Sequence, residues 1–234
     1  MGLDLNVHHS TVSKHLKNMG MSLRLDKWVP HQLNEKQKMK RLTICSSLKV
    51  RLEKENFLKD IITCDEKWIA YSNPHRGKHW IHAGSPPLKI AKSDLHPRKV
   101  LLCLWWSIKG IIHHEFLKSG QTVNSDIYCS QIEEVHKKLK DIDPAMINRR
   151  RVIILQDNAK PHTSKKTIQK FSDIGYEILS HPPYSPDISP TDYHVFLSMS
   201  NFLRGKNFDT LEDLQNCIVD FLSRSQSIFS NPAF

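Results

Sequence analysis

Three aspartates stand where rigid backbone could present them to one ligand. Ile153-Ile154-Leu155-Gln156-Asp157-Asn158 is an apolar run ending in a carboxylate, the pattern of a buried strand that delivers Asp157 at its tip. Asp192 comes next, with 34 residues between the two. Four prolines fall within residues 181–190 of that interval. Proline continues neither a helix nor a central strand, so the segment reads as a stiff, extended connection. It stops where a helical pattern of Tyr193, Phe196, Leu197 and Phe202 begins. Asp65 closes Ile61-Ile62-Thr63-Cys64-Asp65, another strand-like run. If the three converge, they suit two divalent ions, Mg²⁺ or Mn²⁺. Such a pair, about 3.5–4 Å apart, activates the attacking oxygen and stabilises the leaving oxygen of a phosphodiester. Magnesium takes hard oxygen ligands and few protein carboxylates, which leaves room for phosphate and water. Taken singly, each aspartate also admits a structural role: Asp157 in a turn with Asn158, Asp192 as a helix cap, Asp65 paired with Lys67.

The elements that must hold these acids are legible as a mixed series. Residues 10–19 form an amphipathic helix capped by Ser10, with Val12, Leu16 and Met19 on one face. Its other face carries Thr11, Ser13, Lys14, His15, Lys17 and Asn18, side chains that hydrogen-bond phosphates and base edges. The short turn before it suggests part of a helix-turn-helix. Residues 22–33 lack a helical period and read as a linker in which Trp28 is available for docking. Asn34 caps the next helix, whose apolar stripe is Met39, Leu42, Cys45, Leu48 and Leu52. Strands are expected at 60–71, 79–82, 99–109 and 111–117. The run from Val100 to Ser107 is apolar on both faces, as in a central strand. A serine-capped helix over 125–142 carries Ile127, Ile132, Val135 and Leu139. After the strand ending at Asp157 come a basic helix at 164–174, a strand at 176–179, and helices at 192–203 and 211–222. Such an order indicates an α/β domain with a mixed sheet flanked by helices.

The bulk composition narrows the partner. The chain has 234 residues and a net charge of +10, an excess that favours a polyanion, nucleic acid first and acidic membrane second. Five scattered cysteines contain no C-x-x-C pair, which argues against a zinc knuckle and for a reducing compartment. The longest largely apolar run, residues 100–108, is too short to span a bilayer, so no membrane partner is expected.

Four motifs carry a family resemblance. Trp28-Val29-Pro30-His31-Gln32-Leu33, Thr63-Cys64-Asp65-Glu66-Lys67-Trp68, Gln156-Asp157-Asn158-Ala159-Lys160-Pro161-His162 and Tyr184-Ser185-Pro186-Asp187-Ile188-Ser189-Pro190-Thr191-Asp192-Tyr193-His194 resemble the signature motifs of mariner transposases, in the Tc1/mariner superfamily. The interval between Asp157 and Asp192 is similar to that family's acidic-triad spacing. The resemblance implies an RNase H-like fold over residues 34–234, a partial helix-turn-helix over 1–21 and a linker over 22–33. It implies that Asp65, Asp157 and Asp192 are catalytic metal ligands. It further implies cleavage at terminal inverted repeats of double-stranded DNA, strand transfer into a TA target, and action in the nucleus. Thr11, Ser13, Lys14 and Lys17 are then the DNA-contacting side chains. Trp28, Val29, Pro30 and His31 serve a homodimer. Measured against the family, the chain is expected to be shortened at both ends, and Cys64 replaces the usual glycine. Two other readings follow. One is a DNA-binding remnant without catalysis, as in a histone-methyltransferase–transposase fusion, using Arg149, Arg150, Arg151, Lys165, Lys166 and Lys170. The other is a different RNase H-like nuclease, against which the linker motif speaks.

Overall fold

The structure, a computed structural model, describes residues 8–21, 31–74, 97–118, 120–148 and 151–224. The strand expected at 79–82, Trp28, Val29, Pro30, Arg149 and Arg150 lie outside the described residues. The chain divides into two units, residues 1–32 and 33–234.

In the first unit, α1 spans His9–Asn18. Its cap is His8 rather than Ser10: the Ser10 N–H donates to the imidazole Nδ1. Val12 and Leu16 are half-buried, whereas Met19 is exposed, so the apolar face is shorter than the periodicity implied. Thr11, Ser13, Lys14 and Lys17 are all exposed.

The second unit is built on a five-stranded sheet in the order β3-β2-β1-β4-β5. The strands are β1 (Ile61–Ala70), β2 (Lys99–Ser107), β3 (Gly110–Phe116), β4 (Ile153–Leu155) and β5 (Glu177–Ile178). β1, β2 and β3 pair antiparallel, and β4 and β5 join β1 in parallel. Parallel pairing needs a crossover, which α3 (Ser125–Ile142), α4 (Pro144–Asn148) and α5 (Lys165–Asp173) supply. These helices cover one face. Tyr128, Ile132, Val135, Leu139, Met146 and Phe171 close over Ile62, Cys64, Trp105 and Ile154. The opposite face is covered by α6 (Leu197–Leu203) and α7 (Leu211–Arg224), packed on Ile69, Leu102, Leu104 and Trp106. β2 is therefore buried on both sides, as its unbroken apolar run implied.

Helix boundaries differ from expectation where two capping residues adjoin. Asn124, not Ser125, caps α3, its Oδ1 accepting from the N–H groups of Asp126 and Ile127. Asn34 and Ser164 do cap α2 (Glu35–Lys54) and α5. α2 departs most from its periodicity. Met39 and Leu42 are 64% and 62% exposed, and of the expected stripe Leu48 is what packs on Phe57, Ile153, Leu155 and Leu179. The helix is held instead by two forked ion pairs. Arg41 donates to both carboxylate oxygens of Asp187 at 2.8 and 2.6 Å, and Arg51 to both of Glu177 at 2.5 and 3.0 Å.

The proline-rich connection is not extended throughout, since Pro186–Ile188 is a 3₁₀ turn. A π-helical stretch, Thr191–Phe196, follows and runs into α6. Its wider turn lets Thr191, Val195 and Phe196 all be buried while Asp192 stays partly exposed. Thr191 is fully buried and fixes the stretch to the sheet. Its hydroxyl accepts from Trp106 Nε1 at 3.1 Å and lies 3.1 Å from the Thr63 hydroxyl. Replacing Thr191 by Val keeps the volume and removes both bonds. Urea denaturation should show a loss of about 1–3 kcal/mol, the usual consequence of stranding buried polar partners; a midpoint equal to the parent's contradicts this anchoring role.

Candidate active site

The sheet register brings the three aspartates to one end of the fold. β1 and β4 pair Ile61 with Ile153, Ile62 with Ile154 and Thr63 with Leu155. Asp157 follows two residues past the end of β4, on the side of β1 that carries Asp65 further along, and the two are near enough to interact electrostatically. Asp65 is not at a strand end, as its run suggested, but midway along β1. Thr63 and Asp65 share a face of β1, and Thr63 bonds Thr191, so Asp192 arrives beside Asp65. The two carboxyls are near enough for each to perturb the ionisation of the other.

Such closeness perturbs both acids. Burial, then repulsion from Asp192 and Glu66, pushes Asp65 up to about 8, even though the Glu66 N–H donates to it at 2.8 Å. Burial also raises Asp192, against the influence of nearby Asp65 and Ser189 and the charge of Lys67. Asp157 behaves oppositely. Partial burial disfavours its charge, but His162 and the Ala159 N–H, at 2.6 and 2.9 Å, outweigh that and hold it below the usual carboxylate range.

Behind Asp157 lies a buried network that the sequence motifs did not announce. Adjacent residues of a strand face opposite sides, so Glu66 points away from Asp65 and toward α3. His162, 1% exposed, sits between two acids, with Nδ1 2.6 Å from Asp157 and Nε2 3.2 Å from Glu66. Only an imidazolium donates from both nitrogens. Burial opposes that charge, but the bonds to Asp157 and Glu66 override it and raise His162 to about 9. Its ring lies 4.3 Å from that of Tyr128. The Tyr128 hydroxyl donates to Gln156 Oε1 at 2.6 Å and lies 2.8 Å from the Cys64 sulfur. Gln156 Nε2 in turn donates to the His162 carbonyl at 3.1 Å. Cys64 thus occupies the first aspartate's flank as a buried partner of Tyr128. The sequence signal for His162 and Glu66 was their presence in the two acidic motifs, without any sign of their mutual contact.

The imidazolium held between Glu66 and Asp157, with Lys67 near Asp192, offsets only part of the charge of the four acids Asp65, Glu66, Asp157 and Asp192. Oxygen donors with surplus negative charge, one of them holding a proton well above its ordinary range, fit a hard divalent cation. The acids are gathered without being closed into a ligand cage: among the described residues no three acid, histidine or cysteine side chains form a ready metal cluster. Thr11, Ser13, Lys14 and Lys17 lie on α1 in the other unit, and His31 is exposed. Of the basic residues expected to bind DNA, Arg151 pairs with Glu55 and Glu177, Lys166 with Asp126, and Lys170 with Glu133.

A mixed sheet with antiparallel and parallel halves, helices on both faces and acids at one end defines an RNase H-like domain of the DDE type. A family model described as transposase (partial DDE domain) matches residues 70–149. The chain is 46% identical over 226 residues to the Homo sapiens histone-lysine N-methyltransferase SETMAR, covering 97% of this chain and 33% of that protein. It is 36% identical over 226 residues to the mariner Mos1 transposase of Drosophila mauritiana, covering 96% of this chain and 66% of that one. A crystal structure of the Mos1 mariner paired-end complex with Mn superposes with a TM-score of 0.86 at 35% identity, over 98% of this chain and 68% of that one. The chain belongs to the mariner transposase family. It spans about a third of the first of these relatives and just under two thirds of the second.

The linkage signs of His162 and Asp65 agree. His162 ionises near 6.5 when unfolded and near 9 in the fold, so its ion pairs stabilise fully below pH 6.5 and are lost as pH rises through 9. Asp65 rises from an ordinary 3.8 to about 8, so its burial is tolerated below pH 4 and opposes folding increasingly up to pH 8. Without divalent cations, calorimetry should therefore show the unfolding midpoint falling between pH 6.5 and 9. His162→Gln should flatten the upper part of that decline; an unchanged slope contradicts the imidazolium.

Proposed function

We propose that this chain carries the catalytic core of a DNA transposase, which hydrolyses phosphodiester bonds at transposon ends and transfers the freed strands into TA target DNA. The observation that carries the proposal is the convergence of the three acids: Thr63 bonds Thr191, which brings Asp192 beside Asp65, and parallel β4 runs toward Asp157 next to β1. Asp65, Asp157 and Asp192 would hold two Mg²⁺ or Mn²⁺ ions. Bound there, the ions would supply charge neutralisation at the attacking and leaving oxygens. In support, a Mos1 paired-end complex has been determined with Mn and another with Mg.

The protein's own groups do the positioning. β1 holds Asp65 rigidly through the sheet, and Thr191 fixes Asp192 from the opposite direction. His162 keeps Asp157 ionised and orients it through Oδ1, leaving Oδ2 for a ligand. The Lys67 ammonium lies near Asp192, over the Phe196 ring, and offsets part of the negative charge. The proposed partners are double-stranded DNA bearing inverted repeats and a second copy of the chain. Thr11, Ser13, Lys14 and Lys17 are proposed contacts to DNA, and Trp28, Val29, Pro30 and His31 to the second copy. With chromosomal DNA as substrate, the nucleus is the proposed compartment.

Asp157→Asn should abolish Mg²⁺-dependent nicking of a repeat-containing duplex while DNA binding persists, and a folded variant that nicks like the parent overturns the assignment. Binding without nicking by the parent itself points to a remnant that acts by occupying DNA. A second readout does not depend on turnover. At pH 8, Asp65→Asn should raise the melting temperature of the metal-free protein by several degrees. It should also remove the further rise that Mg²⁺ gives the parent.

A further inference from the structure

A groove of about 670 Å³ opens beside the acidic centre. One wall is the first half of α2, presenting Lys36, Lys40 and Thr43 around an apolar strip of Met39 and Ile44. The other is Asn158, Ser180 and His181. Among the described residues no carboxylate lines it. Lys36 and Lys40 are exposed and one helical turn apart, and neither has an acidic partner among the described residues, whereas Lys38 between them is paired with Glu35. The groove is also pre-shaped. The Arg41–Asp187 and Arg51–Glu177 forks fix α2 against the connection after β5 and against β5 itself.

Its floor contains an unanswered polar group. His181 is 7% exposed, and neither ring nitrogen makes a hydrogen bond of normal geometry. Burial lowers the ring's pKa, against the nearby Pro182 carbonyl and the charges of Asp157, Asp192 and Asp187. Burying a polar ring without a partner is unfavourable, and an anionic oxygen in the groove removes the deficit. The His181 carbonyl accepts from Asn158 Nδ2 at 2.9 Å, which ties this floor to the residue after Asp157.

We infer that this groove binds the sugar-phosphate backbone of the DNA strand that passes the acidic centre, with Lys36 and Lys40 against successive phosphates and His181 donating to a phosphate oxygen. The inference rests on the DNA substrate proposed above. It also explains what the neutralised surface around Arg151, Lys166 and Lys170 does not: where unpaired positive charge meets the catalytic end of the sheet.

The test is the salt dependence of binding by the full chain to one DNA duplex, followed by fluorescence anisotropy. Each phosphate contact to B-form DNA contributes about 0.9 to the slope of log K against log salt, and each to a single strand about 0.7. Lys36→Gln with Lys40→Gln should therefore reduce the slope by about 1.8 for a duplex or about 1.4 for an unpaired strand. Lys137→Gln with Lys140→Gln, exposed on α3 outside the groove, should leave it unchanged. His181→Phe keeps a ring of similar size without nitrogens and should weaken binding roughly tenfold. A double variant that keeps the parent's slope, or a control pair that lowers it equally, overturns the groove while leaving the DNA-substrate proposal standing. His181→Phe binding equal to the parent's removes the imidazole from the site. A parent that binds DNA without salt dependence overturns both proposals at once.

Discussion

Two carboxyl groups held close enough to repel are the constraint around which this fold is arranged. Asp65 and Asp192 repel when both are ionised, and a chain without tertiary support would separate them. Here neither can retreat. Asp65 is midway along a strand with neighbours on both sides, and Asp192 is the residue after Thr191, whose hydroxyl is bound to the sheet. The apolar layers around Trp106, Val195 and Phe196 supply the burial that holds this arrangement. A site poised in this way favours whatever neutralises it, a proton or a cation.

Asp157 shows the complementary device. Its charge is maintained rather than suppressed, because His162 stands behind it as an imidazolium shared with Glu66. Tyr128 and Gln156 then fix that ring from the side and through its backbone. One end of the sheet thus contains acids in two opposite electrostatic states. That asymmetry gives the three aspartates unequal affinities for protons.

Much of this could be read from the chain, and the exceptions have physical causes. The apolar run before Asp157 marked β4, and the doubly apolar run from Val100 marked β2, because burial on both faces leaves no polar alternation. Ile132, Val135 and Leu139 of α3 are buried at the spacing their periodicity implied. α2 misled because periodicity records apolar residues and not what holds a helix down. Its attachment is largely by guanidinium forks, and Met39 and Leu42 face outward. The cap of α3 moved by one residue because Asn124 and Ser125 are both competent caps. The π-helical stretch has no sequence signature of its own, and the His162–Glu66 contact joins residues 96 apart in the chain. Pairings of that kind become visible only when strand alternation and helix placement act together.

The two forks that secure α2 carry an implication for how the molecule is made. Their partners lie 126 and 146 residues downstream. A helix made that far ahead of its partners must wait for the intervening chain before its arginines find their acids. β1 likewise waits for β4, and Asp65 waits for Asp192. The acidic end of the sheet is therefore completed only after Asp192 has been made, so a ribosome-bound nascent chain carries its negative charges apart until then.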